Sequence, residues 1–139
     1  MPTFEDPAAD AAEARNALRG LAHATQTIDD PRQIYVLLGD LSTAATALSQ
    51  ALHQIASVHD ATQPSTSWIP DDSSRARAAV HQVSWDLHRA GEILHHVAAS
   101  IDDAHQAEGT VTYQRRETGM LADTPQPTPS PELGHGLGL

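Results

Sequence analysis

Residues Pro31 to Asp60 read PRQIYVLLGDLSTAATALSQALHQIASVHD, and this stretch decides the fold. Large apolar residues fall at Ile34, Leu37, Leu38, Leu41, Leu48, Leu52 and Ile55, with Ala44, Ala45 and Ala51 between them. Steps of three and four place them on one face of a helix about eight turns long. The opposite face carries no charge from Leu41 to His59, only Ser42, Thr43, Thr46, Ser49, Gln50, His53, Gln54 and Ser57. A solvent-facing helix usually carries charge on its outer side. Ser42, Ser49, Gln50 and His53 are therefore candidate contact residues on a central helix with neighbours on more than one flank. Gly39 projects away from the apolar stripe and reads as a local weakness of about 1 kcal/mol rather than a packing contact.

Upstream, Asp6 and Pro7 mark a helix start, an acid at the N-cap and proline at the first helical position. Ala11, Ala14, Leu18, Leu21, Thr25 and Ile28 follow a three-four alternation. The first half of that seam is only alanine, so fraying is expected before Ala14. Asp29, Asp30 and Pro31 then break the chain, and Asp30 is the expected N-cap of the second helix. The short turn predicts antiparallel packing of the first two helices.

Downstream, Ala61 to Ser73 hold two prolines and a cluster of small polar residues, the composition of a loop. Trp68 and Ile69 are its bulky members, either folded back over one end of the bundle or offered to a partner. A third helix starts at an Asp72 or Ser73 cap and runs to Glu108, with Gly109 as C′ residue. Its seam is Ala76, Val80, Val83, Leu87, Gly91, Leu94, Val97 or Ala98, Ile101 and Ala104. Gly91 on that face either admits a close neighbour or is a tolerated defect. Beyond Thr110 to Glu117, Pro125, Pro127, Pro129 and Pro131 lead into Gly134–His135–Gly136–Leu137–Gly138–Leu139. Such a tail cannot bury enough apolar surface to offset its ordering entropy and is expected to be disordered.

The expected architecture is all-α: an antiparallel three-helix bundle over residues 1–109, with a short N-terminal arm and a flexible Pro/Gly-rich tail over 110–139. The helices are placed at about 7–28, 31–60 and 73–108.

Composition narrows the function classes. Eighteen acids against eight arginines, with no lysine, give a net charge of −10. That balance disfavours nucleic acid and anionic membrane surfaces. Arg115–Arg116 and the Arg75/Arg77 pair are too few to make a basic groove. Absence of cysteine removes disulfides, thiolate catalysis and thiolate zinc sites. No run approaches the roughly eighteen apolar residues of a membrane span. Met1 to Glu13 is acidic, without a basic start or apolar run, so no general secretory leader is expected there and a cytoplasmic location is.

Nine histidines are many for 139 residues. His81, His88 and His95 recur every seven residues, about a quarter-turn from the third helix's seam, facing solvent or a partner. Glu92 and His95 form a Glu-x-x-His, the spacing by which di-iron bundles aim two ligands at one face. A second such motif is missing, and the second helix has no glutamate. His88, Glu92 and His95 remain a sterically allowed divalent-metal set; the plainer reading is a solvated histidine face. No nucleophile elbow, phosphate-cradling glycine loop or His-Glu-x-x-His occurs, so neither enzymatic activity nor a cofactor is expected.

Two long helices joined by a tryptophan-bearing loop, followed by Tyr113–Gln114–Arg115–Arg116–Glu117, resemble the helical hairpins of WXG100-like type VII secretion substrates. Trp68–Ile69–Pro70 stands where that family carries Trp-x-Gly, while Tyr113 and Glu117 match its Tyr-x-x-x-Asp/Glu signal. The resemblance implies export by a type VII-like route, with Tyr113 and Glu117 as recognition residues. Arginine-only basic usage and abundant alanine suggest a high-GC genome, and the chain also looks like a small helical protein of actinobacterial type. The residues themselves point to a non-enzymatic interaction or scaffold module, self-associating or bound to another helical chain. A histidine-mediated metal-binding bundle is the further alternative.

Overall fold

The computed structural model describes residues 1–60, 71–117 and 127–128. Within them the chain is all-α: α1 spans Pro7–Ala24, α2 Gln33–His59 and α3 Ser74–Glu108. Trp68 and Ile69, and the tail from residue 118 apart from Pro127 and Thr128, lie outside the described residues.

The α1 cap is the expected one. The Asp6 side chain accepts from the backbone N–H of Ala8 and Ala9 at 3.1 and 3.2 Å, and Pro7 follows. Fraying before Ala14 is not what is found. The N-terminal arm folds back on the first turn, where Asp10 accepts from the N–H of Thr3 and Phe4 at 2.5 and 3.0 Å. These backbone N–H groups hold the Asp10 carboxyl below its usual range. The helix ends at Ala24 rather than Ile28, the Thr25 hydroxyl donating back to the Leu21 carbonyl at 2.9 Å.

Asp30 is not the N-cap but stands two residues before it. It accepts from the backbone N–H of Arg32 at 3.0 Å and pairs with the Arg32 guanidinium at 2.8 Å, fixing the turn that precedes α2. The N-cap position itself is Arg32, with no side-chain cap. At α3 the cap is Ser73, accepting from Ala76 N–H at 3.1 Å. Gly109 closes that helix in an ordinary right-handed conformation, φ −60°, not the left-handed one a C′ glycine would take.

Packing joins α2 to α3, while α1 comes within packing distance of neither among the described residues. The expected antiparallel contact of the first two helices is therefore absent, and the physical reason lies in α1 itself. It has only Leu18 and Leu21 as large apolar side chains and buries no residue.

The α2–α3 seam also sits elsewhere than the leucine stripe suggests. Facing pairs step by seven in opposite directions: Tyr35 against His105, Ser42 against Ala98, Ser49 against Gly91. Ala56 and Ser84, both buried, continue the register. Small residues at this position let two helices approach closely enough for side-chain hydroxyls to reach the opposite backbone. Ser49 Oγ donates to the Gly91 carbonyl at 2.7 Å, and Ser42 Oγ to the Ala98 carbonyl at 3.2 Å. Each carbonyl has a second lone pair beyond its helical bond, so the buried hydroxyls are satisfied at no cost to the helix. Beside the small column, Leu38, Ala45 and Leu52 of α2 and Val80, Leu87, Leu94 and Ile101 of α3 are all half-buried.

Two glycines are contacts, Gly91 in the seam and Gly39 beside it. A Cβ on Gly91 would lie 2.6 Å from Nε2 of His53, which packs over it. A Cβ on Gly39 would lie 3.1 Å from Nε2 of His105, so Gly39 admits a neighbour rather than merely weakening its helix.

Candidate functional site

The close approach sorts the remaining side chains onto two flanks of the hairpin. In an antiparallel pair, the residue four places after each small residue falls on one side and the residue just before it on the other. Thr46, His53 and Asp60 of α2 thereby share a flank with His81, His88 and His95 of α3. Leu41, Leu48 and Ile55 share the opposite flank with Val83, Ala90 and Val97.

The first flank carries a relay of polar contacts. Glu92 Oε1 lies 3.3 Å from His53 Nε2. Nδ1 of His53 and Nδ1 of His88 are 2.8 Å apart, and His88 Nε2 is 2.7 Å from Asp60 Oδ2. Ser84 Oγ donates to Asp60 Oδ1. The two rings offer four nitrogens to three contacts, and each contact needs a proton on one ring nitrogen. His88 first, then Ser84, holds the Asp60 carboxyl below its usual range. Asp60, the C-cap residue of α2, is thus tied to the first half of α3.

His88 is therefore a hairpin contact, not a member of an outward histidine stripe. His53 and Glu92 join it, whereas His95 is exposed and lies edge-on to His96, ring centroids 6.0 Å apart. Among the described residues no group of three or more His, Asp or Glu side chains converges as metal ligands. His53 was readable beforehand as a contact residue; its pairing with His88 was not, because nothing in either helix alone sets their register.

The opposite flank is apolar and, among the described residues, uncovered. Leu48 is 45 % exposed, Ile55 53 %, Val83 42 % and Val97 41 %. The only buried apolar residues of the chain's described part are Ala56 and Ala98, and no large side chain is fully buried. From Ile34 to Ile55 and from Val80 to Ile101, no charged residue occupies the outer apolar column or the half-buried one beside it.

The other candidates are dispersed. Ser42 and Ser49 lie in the seam, while Gln50 is exposed on the polar side. Tyr113 sits in the non-helical segment after α3, its hydroxyl donating to Glu108, which raises its pKa. Glu117 is exposed in the same segment. No helix among the described residues is long and apolar enough to cross a membrane. Protein-family models give no match to this chain, and neither curated proteins nor solved structures give one.

Proposed function

We propose that the protein is a non-enzymatic helical interaction module that binds an apolar helical surface along the uncovered flank of the α2–α3 hairpin. One observation carries this reading: the hairpin closes on small residues and leaves its outer leucine, isoleucine and valine column in solvent. Contiguous exposed apolar surface of this size commonly marks a binding site. The test is a pull-down with the full chain as bait. Bait carrying Ile55→Glu should lose helical partners, itself included, that the unaltered bait retains, whereas Gln50→Glu on the polar side should keep them. Retention of every partner by the Ile55→Glu bait would remove the reading.

A second reading is favoured by the order of elements. A two-helix hairpin is followed at once by Tyr113 in a non-helical segment with Glu117 exposed behind it, the arrangement a type VII-like export signal requires. In that case Tyr113→Ala abolishes appearance of the protein in culture medium, and undiminished export of the variant rules the route out.

A further inference from the structure

We infer that the occupant of the apolar flank is a second copy of this chain, related by a two-fold axis so that two hairpins make a four-helix bundle. The inference rests on the interaction reading and names its partner. Each helix carries three apolar or small columns side by side: the seam, the half-buried column of Leu38, Leu52, Leu87 and Leu94, and the outer column of Leu48 and Val97. Two columns suffice for a two-helix seam; three are what a helix in a larger bundle presents. The hairpin uses one side of that stripe and leaves the other for a second helix pair.

Stability points to a copy rather than a foreign chain. With only Ala56 and Ala98 buried among the apolar residues described, the described part of the hairpin has almost no core of its own. A core this small does not hold a fold by itself. Whatever covers the flank must be present whenever the chain is folded, and the chain itself always is. The remaining helix of the same molecule is a poor substitute. α1 brings Leu18 and Leu21 to a face that runs the length of α2, and it stands apart from the hairpin.

Charge and size agree. The chain carries −10, yet the two apolar columns hold no charge, so a two-fold overlay brings no like charges into contact. A face two helices wide and 27 residues long measures roughly 20 by 40 Å, or about 800 Å² per copy. Twice that is about the standard size of a stable protein–protein interface.

Light scattering after size exclusion, together with thermal unfolding at a series of concentrations, tests the proposal on the full chain. The expected mass is twice 14.8 kDa, with a Tm that rises with concentration. Leu48→Ala should weaken the dimer at least about tenfold, and Val97→Glu should bring the mass to that of one chain. Val36→Glu, on an exposed residue away from the flank, should leave the dimer intact. If Val97→Glu unfolds altogether, the Leu48→Ala dissociation constant still decides. A folded monomer with concentration-independent Tm overturns the second copy. If that monomer still loses a helical partner on Ile55→Glu, the interaction reading survives alone; if α1 covers the flank in solution, both fail.

Discussion

Gly91→Ala sets two opposing effects against each other, and the seam geometry says which is larger. In an exposed helix interior, glycine to alanine gains about 1 kcal/mol of helix propensity. At position 91 the new Cβ would stand 2.6 Å from Nε2 and 2.8 Å from Cδ2 of His53. The ring has to leave. It then gives up its contacts with His88 at 2.8 Å and Glu92 at 3.3 Å, worth about 0.5–1.5 kcal/mol each. Refitting the seam around the methyl adds about 1–3 kcal/mol. Set against the propensity gain, the net expectation is a loss of about 1–5 kcal/mol. The cycle with His53→Ala isolates the cause: without the ring, Gly91→Ala should recover its propensity gain of about 1 kcal/mol. The coupling between the two sites is then about 2–6 kcal/mol, read from urea denaturation followed by far-UV circular dichroism at one fixed chain concentration. Additivity of the two changes within about 0.5 kcal/mol would refute the close approach of His53 over Gly91.

Ser49→Ala should cost about 1 kcal/mol or less, since it loses one buried hydroxyl bond yet leaves the Gly91 carbonyl in its helix. Ser49→Leu should cost more than about 2 kcal/mol by forcing the helices apart, and chemical denaturation separates the two. Asp6→Ala removes the α1 cap, worth about 1 kcal/mol. Because α1 packs on neither other helix, hydrogen exchange should accelerate over residues 7–24 and stay unchanged in α2 and α3. For pH, the Asp60 carboxyl is depressed in the fold, so its contribution is complete above the unfolded value of about 4. It is lost as pH falls through the lower folded value. Urea midpoints between pH 5 and 2 should therefore drop more steeply in the natural chain than in Asp60→Asn. Asp30, held at about 2 by Arg32, should act in the same sense and window, and Asp30→Asn is the parallel control.

Helix number, the Asp6 cap, Ser73 as one of two cap candidates and the Pro31 break were legible because each depends on chemistry within a few residues of chain. The seam was not, and the reason is physical. Hydrophobic periodicity points to the middle of an apolar arc, and in α2 that middle is the Leu37–Leu41–Leu48–Ile55 side. Two helices close where they can come nearest, and Ser42, Ser49 and Ala56 against Ser84, Gly91 and Ala98 allow a shorter approach than leucines do. The seven-residue recurrence of small residues on both helices carried that signal in plain view. Gly39 was misjudged for the same reason, since its partner His105 is 66 positions away and only the register brings them together. The position of α1 depended on how little Leu18 and Leu21 can bury, a quantity that alternation alone does not reveal.

The tie between Asp60 and the Ser84–His88 turn has a consequence for how the hairpin tolerates change. Alignment of the two long rods is written in side chains on either side of the connection: the hydroxyls at 42 and 49, the imidazole pair, and the carboxylate at 60. Lengthening such a linker costs only about 0.6 kcal/mol per doubling. A peptide tag or a whole guest domain inserted between positions 60 and 71 should therefore leave the pairing untouched, making that junction the natural place to splice cargo into this scaffold.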